Sequence, residues 1–129
     1  MVQRIMQFAL VVDNYDKAID FYVNKLHFDL LEDTQLSPTK RWVIISPKGN
    51  TGSNILLAQA SNEEQKTRIG NQAGGRVFLF LQTDNLERDI ENLHHHNVKI
   101  VRQPVQEAWG QVLVFEDIFG NLWDLIQPL

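Results

Sequence analysis

The sequence predicts an α+β fold made of two tandem modules, each built as a strand, a helix and three further strands. The length is the first observation behind this prediction, since 129 residues make one ordinary domain or two small halves of one. The second is a strand-then-helix pattern that occurs twice along the chain. The third is an internal repeat with a period of about 70 residues, which is too long for a solenoid and indicates a duplicated module.

The first module begins with a β-rich run over residues 5–12, which stops at the turn and helix-cap pair Asp13-Asn14. Three extended segments are predicted later in the module, over residues 28–31, 42–45 and 55–58. Between the first strand and these segments lies a helix, because apolar residues recur at helical spacing with charged residues on the other side: Ala18, Ile19, Tyr22, Val23 and Leu26.

A polar connector over residues 61–75, with room for a short helix, precedes the second module. That module starts with a strand over residues 77–81 and continues in a helix that carries Leu86, Ile90 and Leu93. The next extended segment is predicted over residues 98–101, and Pro104 is expected to close it because proline cannot donate a hydrogen bond to a sheet. The last two strands are predicted over residues 112–115 and 122–126, on either side of a tight turn at Gly120-Asn121.

The two halves align when Asp13-Asn14 is placed over Asp84-Asn85. Residues 7–10 then fall on residues 78–81, and residues 52–57 fall on residues 120–125. We therefore predict a single domain with one module over about residues 1–60 and a second over about residues 76–129.

Composition excludes several classes of function. Twelve basic against sixteen acidic residues give a formal net charge of -4, which argues against binding to a nucleic-acid backbone. The absence of cysteine excludes disulfides, thiolate metal sites and a cysteine nucleophile. No apolar run reaches the length of about 20 residues that a membrane span needs. We expect a cytoplasmic protein that binds neither nucleic acid nor membrane.

Three stretches of the chain resemble the glyoxalase, bleomycin-resistance and extradiol-dioxygenase group, the vicinal oxygen chelate superfamily. They are residues 8–22 (FALVVDNYDKAIDFY), residues 74–81 (GGRVFLFL) and residues 115–125 (FEDIFGNLWDL), and the likeness covers nearly all of the chain. This resemblance implies that each module rolls its sheet into a half-open β-barrel-like cup, that a small-molecule ligand lies inside the cup, and that the chain forms a homodimer.

The resemblance also implies where a metal would be held, on the first and last strands of both modules. Those four positions fall on Gln7, Leu56, Phe78 and Asp124. A shift of the alignment by one residue would put Leu57 in place of Leu56, or Val77 in place of Phe78. Neither a leucine nor a phenylalanine can bind a metal, and a catalytic zinc takes three protein ligands. We therefore expect no cofactor and no metal ligands, while a partner subunit or a shifted alignment would leave a divalent metal open.

We expect Gln7, Leu56, Phe78 and Asp124 to line one cavity, with Phe80 and Trp109 as further ligand contacts. Strand alternation places Asp124 on one face with Leu122 and Ile126, and Trp123 on the other. In apolar surroundings Asp124 would serve as a general base or as the partner of a cationic ligand. The alternative is that it pairs with Gln7 or Arg76 in a closed polar network.

Two histidine sites are interpreted as structural. The tract His94-His95-His96 lies at the end of the predicted helix, where consecutive residues point in different directions. Histidines there also suit the negative end of the helix dipole. His27 follows a predicted helix end in the same way.

Three functions remain open from the sequence. The first is a metal-independent protein of the bleomycin-resistance type that binds a drug or a metabolite without chemistry. The second is an enzyme of the glyoxalase type, either a metal-dependent lyase, isomerase or dioxygenase or a metal-free enzyme with Asp124 as base. The third is a structural or regulatory module with an empty cup, because a fold does not by itself imply an activity.

Overall fold

Each half of the chain folds into its own four-stranded mixed sheet. The computed structural model describes residues 1–129, and the chain divides into one unit over Met1–Ile69 and a second over Gly70–Leu129. Both sheets are open rather than closed barrels, and both combine one parallel with two antiparallel strand pairs. The predicted α+β class with two βαβββ modules is confirmed.

The first unit runs in the order strand, helix, three strands and a short helix. Its elements are β1 (Gln7–Val12), α1 (Tyr15–Ile19), a π-helical segment (Asp20–Lys25), β2 (Asp29–Gln35), β3 (Arg41–Ser46), β4 (Asn54–Gln59) and α2 (Glu63–Lys66). The strands lie in the order β1-β4-β3-β2. Since β1 pairs with β4 in parallel, the first and last strands of the unit are neighbours, and β2 is an edge.

The second unit repeats this arrangement. Its elements are β5 (Val77–Gln82), α3 (Leu86–His95), β6 (Ile100–Glu107), β7 (Gly110–Glu116) and β8 (Leu122–Pro128). The strand order is β5-β8-β7-β6, with β5 and β8 parallel. None of the helices in either unit has the length and hydrophobicity needed to span a bilayer.

Each unit buries one face of its sheet under its own helices. In the first unit the buried residues are Leu10, Val12, Val43, Ile45, Ile55 and Leu57 of the strands with Ala18, Phe21 and Tyr22 of the helical segment. In the second they are Leu113, Phe115, Trp123 and Leu125 of the strands with Leu86 and Leu93 of α3. The other face of each sheet therefore carries the alternate residues, which include the predicted site residues.

The N-termini of α1 and α3 are stabilised by the same kinds of contact. Asn14 and Asn85 are the N-caps, and their side chains accept hydrogen bonds from Lys17 N and Arg88 N. A glutamine near the end of the last strand of each unit adds a second bond to the first turn: Gln59 Oε1 accepts from Tyr15 N at 3.2 Å, and Gln127 Oε1 accepts from Leu86 N at 2.7 Å. These paired contacts satisfy backbone N–H groups that have no partner within the helix.

Four predicted elements differ from the structure, one of them the strand that contains Pro104. The helix predicted through Leu26 changes from α to π geometry at Asp20, and Leu26 N donates to Phe21 O five residues back. This wider turn buries the neighbouring rings of Phe21 and Tyr22 together, 5.0 Å apart in an edge arrangement. The first strand begins at Gln7 rather than at residue 5, and the strand predicted over residues 28–31 extends through Gln35.

Pro104 does not end a strand, so that prediction is wrong. It lies inside β6, which spans Ile100–Glu107 at the edge of the second sheet. An edge strand has one side without ladder partners, so a missing N–H on that side breaks no hydrogen bond. The pairing of β6 with β7 is also irregular between Arg102 and Val105, which brackets the proline.

Candidate functional site

One row of four side chains crosses the sheet of the second unit. Phe80 of β5 is the register partner of Asp124 of β8, Asp124 is the partner of Val114 of β7, and Val114 is the partner of Arg102 of β6. Register partners on neighbouring strands share a face of the sheet. The row therefore lies on the face opposite the core residues Trp123 and Leu125, and we refer to it as the Asp124 row.

The Asp124 carboxylate is half-buried and makes no hydrogen bond or ion pair with any protein group. Within the second unit Asp124 therefore does not pair with Arg76, and the predicted alternative of a pair with Gln7 stays a prediction. Burial raises the pKa of the Asp124 carboxyl above its ordinary value, and the Arg102 guanidinium opposes that rise through space. The predicted sharing of a face with Leu122 and Ile126 agrees with the register, and all three side chains are half-buried.

Phe80 is the most exposed large apolar side chain of β5, with 68% of its surface accessible. It lies directly beside Asp124. An exposed aromatic ring next to an unpaired carboxylate combines a stacking surface with a polar anchor, which is the combination found in small-molecule sites.

Phe78 lies at an irregularity of β5. The register pairs Val77 with Leu122 and Leu79 with Trp123, so one extra residue sits in β5 at Phe78. Simple alternation along β5 places Phe78 on the same face of the sheet as Phe80. The observed register places Val77 beside Leu122, and Leu122 lies two residues before Asp124 in β8. Both side chains are half-buried.

Trp109 lies away from the Asp124 row. It stands in the turn between β6 and β7, 50% exposed, where its carbonyl oxygen accepts a hydrogen bond from Leu129 N at 3.1 Å. Leu129 is five residues beyond Asp124, a distance of roughly 16 Å along an extended strand. The structure thus brings Phe80 to Asp124 and leaves Trp109 at the far end of the same sheet.

The predicted site residues of the first unit share one face. Ala9 of β1 pairs with Leu56 of β4, and Gln7 lies two residues before Ala9 on the same side. Leu56 pairs in turn with Ile44 of β3, and Ile44 pairs with Glu32 of β2. This row corresponds to the Asp124 row of the second unit, with an apolar side chain where the second unit has its carboxylate. That the two groups line one cavity stays a prediction.

The residues at the four positions implied for a metal do not fit a metal. Leu56 and Phe78 carry no donor atom, which leaves one amide and one carboxylate, Gln7 and Asp124. No three His, Cys, Asp or Glu side chains of the chain are grouped so that they could hold a metal ion. The donor chemistry therefore disagrees with a metal centre at these positions.

The histidine tract lies at the end of α3, as predicted. His94 and His95 belong to its last turn and are exposed, and His96 is the C-cap. The rings of His95 and His96 meet edge to face with centroids 4.8 Å apart. His27 follows the π-helical segment with a positive φ of 63°, a backbone role that agrees with the structural interpretation.

A polar cleft of about 370 Å³ lies in the first unit beside the turn between β3 and β4. Its lining includes Arg4, Asp29, Ser46 and Asn50. The Asn50 amide nitrogen donates to Ser46 Oγ and to the Ser53 carbonyl, so the polar groups here largely satisfy one another. None of the predicted site residues lines this cleft.

Arg102 was missed by the sequence analysis. It lies on an edge strand whose pairing shifts on both sides of it, between Ile100 and Arg102 and between Arg102 and Val105. Each shift changes which residues of β6 face the same side of the sheet, so alternation along the sequence does not give the side on which Arg102 lies. Its position beside Val114 could be found only from the strand register.

The fold and these rows define a class of protein. Residues 4–125 match the sequence profile of the Glyoxalase/Bleomycin resistance protein/Dioxygenase superfamily, and the chain belongs to this family. A protein of Shewanella frigidimarina, described only as an uncharacterized protein, is 58% identical over 128 residues, which cover 98% of this chain and 95% of the relative.

Two solved structures show the same fold over whole chains. TnmS3, an antibiotic binding protein from a Streptomyces species, has a TM-score of 0.78 at 29% identity and covers 99% of this chain and 98% of its own. UcmS2 has a TM-score of 0.84 at 26% identity, with 98% of each chain covered.

Proposed function

We propose that this protein binds a small organic molecule without a metal, on the sheet face that carries the Asp124 row. The observation that carries the proposal is Asp124 itself: a half-buried carboxylate with no protein partner, directly beside an exposed phenylalanine. Since a buried charge without a partner costs stability, a carboxylate in this setting is typical of a group that meets a ligand.

The side chains of the Asp124 row indicate which kind of ligand would bind there. A carboxylate accepts hydrogen bonds from a cation or an N–H or O–H donor, and Phe80 offers a ring surface for an aromatic or apolar body. The similarity to an antibiotic binding protein supports binding rather than turnover. The metal-dependent lyase, isomerase or dioxygenase alternative is disfavoured by Leu56 and Phe78 at implied ligand positions.

The test is calorimetric titration with 4-(aminomethyl)biphenyl, a cationic aromatic probe, in buffer containing EDTA. We expect saturable binding that weakens about tenfold in Asp124→Asn, because an ion pair with this carboxylate is lost. Phe80→Ala is also expected to weaken binding of the probe. Glu87→Gln, which neutralises an exposed acid on α3, is the matched control.

Binding that is absent, that disappears with EDTA, or that is indifferent to both Asp124→Asn and Phe80→Ala would refute the proposal. Circular dichroism of each variant shows whether the fold is retained.

We also propose that the chain forms a homodimer. Large apolar side chains are exposed in the segment before β1 and along and after the edge strand β2: Ile5, Met6, Leu31 and Leu36. Covering such residues with a second copy removes apolar surface from water. Light scattering during size-exclusion chromatography is expected to give twice the chain mass, and a one-chain mass at all concentrations would contradict this.

A further inference from the structure

We infer that Arg102 is the second polar contact of the same site and selects ligands that carry an anionic group at the end opposite their cationic group. This inference rests on the proposed function. Arg102 stands in the Asp124 row, separated from the carboxylate by one strand, and its exposed guanidinium makes no hydrogen bond or ion pair with the protein.

The spacing of the row favours a two-ended ligand over an internal ion pair. Neighbouring strands lie about 4.8 Å apart, so the backbones of Asp124 and Arg102 are separated by about 10 Å. Their charges act on each other through space without contact. Val114 lies between them and is buried, so no polar side chain of the row separates the two charged groups. A rigid molecule with charges at its two ends matches this order of groups.

Arg102 differs from two other basic side chains of the second unit, Arg88 and Lys99, in having no carboxylate partner. Arg88 is held by Asp84 and Asp89, and Lys99 by Glu116. Those cations have carboxylate partners in the same unit, whereas the Arg102 guanidinium keeps its donors available for an incoming group. A guanidinium presents a fork of donors that matches a carboxylate in two-point geometry.

The local backbone supports a role in positioning. Register shifts lie on both sides of Arg102, so it is an isolated paired residue between two irregular stretches of β6. Bulges of this kind bend an edge strand and redirect a side chain, and they are frequent beside binding sites. Here they flank Arg102, which lies in the row of Phe80 and Asp124.

The experiment compares two probes that differ only in a carboxylate. The first is 4-(aminomethyl)biphenyl, and the second is 4'-(aminomethyl)biphenyl-4-carboxylic acid, in which the rigid rings hold the two charges at opposite ends. We expect the second probe to bind the wild-type protein about tenfold more tightly than the first, because it adds a charge-assisted contact. Arg102→Gln should abolish that gain and leave the affinity for the first probe within about twofold.

Controls separate a local contact from a general charge effect. Arg68→Gln makes the same change in net charge at an exposed residue of the first unit whose partner is Glu64, and it should preserve the gain. Asp124→Asn should weaken both probes alike. Thermal melts of all variants verify that the fold is retained.

The two proposals fail in different ways. If the amine binds in an Asp124-dependent manner but the added carboxylate gives no gain, or the gain survives in Arg102→Gln, the inference about Arg102 is wrong and the proposed function stands. If neither probe binds, both proposals are overturned. If the gain falls equally in Arg68→Gln, it reflects net charge and the assignment to Arg102 fails.

Discussion

Two aspartates of this protein have opposite environments. Asp33 is hydrogen-bonded by Arg41, whose guanidinium holds the pKa of that carboxyl below its usual range. Asp124 is half-buried without a hydrogen bond, and burial raises its pKa. The ionised form is therefore favoured by folding at Asp33 and disfavoured at Asp124, so the Asp33 carboxylate contributes to stability while the Asp124 carboxylate does not.

Replacing Asp124 with asparagine should stabilise the protein while weakening its ligand binding. Because the folded state raises the pKa of Asp124, its ionised form costs stability at neutral pH, and that cost disappears as the pH falls through the raised pKa toward the ordinary aspartate range. Asp124→Asn should therefore have a higher melting temperature than wild type at pH 7. The difference should shrink on acidification, as followed by thermal melts across pH.

The companion measurement is titration of the same variant with 4-(aminomethyl)biphenyl. A variant with a higher melting temperature and weaker binding than wild type would show that the Asp124 carboxylate serves binding at a cost in stability. A lower melting temperature at pH 7 would mean that the carboxylate has a stabilising partner, contrary to the structure.

Arg41 should contribute measurably to the stability of the first unit. It bonds Asp33 at 2.6 Å and Asp16 at 2.8 Å, and its guanidinium lies 5.2 Å from the centre of the Tyr15 ring. With the arginine side chain 19% exposed and that of Asp33 31% exposed, Arg41→Ala should cost about 1 kcal/mol in urea unfolding at pH 7. Arg68→Ala, which breaks an exposed pair with Glu64, should change stability by less than about 0.5 kcal/mol.

The pH dependence of the Arg41 contribution has a definite sign. Asp33 has a lowered pKa when folded, so its share of the stability is complete above the ordinary aspartate pKa and is lost as the pH falls through the folded pKa. The gap between wild type and Arg41→Ala should narrow in acid. A gap that is unchanged at low pH would assign the effect to the Tyr15 contact instead.

At the scale of elements, the N-termini of α1 and α3 are stabilised by the same kinds of hydrogen bond. Each helix has an asparagine N-cap and receives a glutamine side chain from the end of the last strand of its unit. The glutamines join the first helical turn to a strand about 40 residues away in sequence. The start of each helix is therefore coupled to its completed sheet.

Gln127→Ala should release the first turn of α3. Leu86 N would lose its acceptor, and we expect a loss of about 1 kcal/mol with faster hydrogen exchange of that amide. Gln59→Ala should have a smaller effect on Tyr15 N, because that bond is longer, 3.2 Å against 2.7 Å. Gln103→Ala, at an exposed position of β6, is the matched control, and equal losses in all three variants would contradict this account.

Element types followed from the sequence more reliably than element details. Alternation and helical spacing located the strands and the two main helices, because burial of one face imposes a period. The π-helical geometry after Asp20 was not predicted, because it depends on how Phe21 and Tyr22 pack together. The strand through Pro104 was not predicted either, because whether a strand lies at an edge is a property of the sheet.

At the scale of the whole molecule, the two units have the same strand order and the same helical entry but different chemistry. At corresponding places the first unit has Leu56 and the second has Asp124. The two charged groups of the proposed site, Asp124 and Arg102, both lie in the second unit. Duplication thus accounts for the architecture, and divergence between the halves accounts for the candidate site.

The whole protein should purify without a stoichiometric metal. Elemental analysis should follow a purification without a nickel column, because His94, His95 and His96 would retain nickel incidentally. We expect substoichiometric metal and a melting temperature that EDTA does not change, because two of the four implied ligand positions carry no donor atom. A metal that survives dialysis at one per chain, and is lost in Asp124→Ala, would revive the glyoxalase-type enzyme.

The sequence by itself determined the fold class, the duplication and the face of β8 on which Asp124 lies, because these depend on local periods and on a repeat that can be counted along the chain. Only the tertiary structure shows which residues are neighbours. Phe80 lies beside Asp124, Trp109 lies at the far end of the sheet, and Arg102 lies in the Asp124 row. Bulges and edge positions shift strand register by single residues, and only the assembled sheet records those shifts.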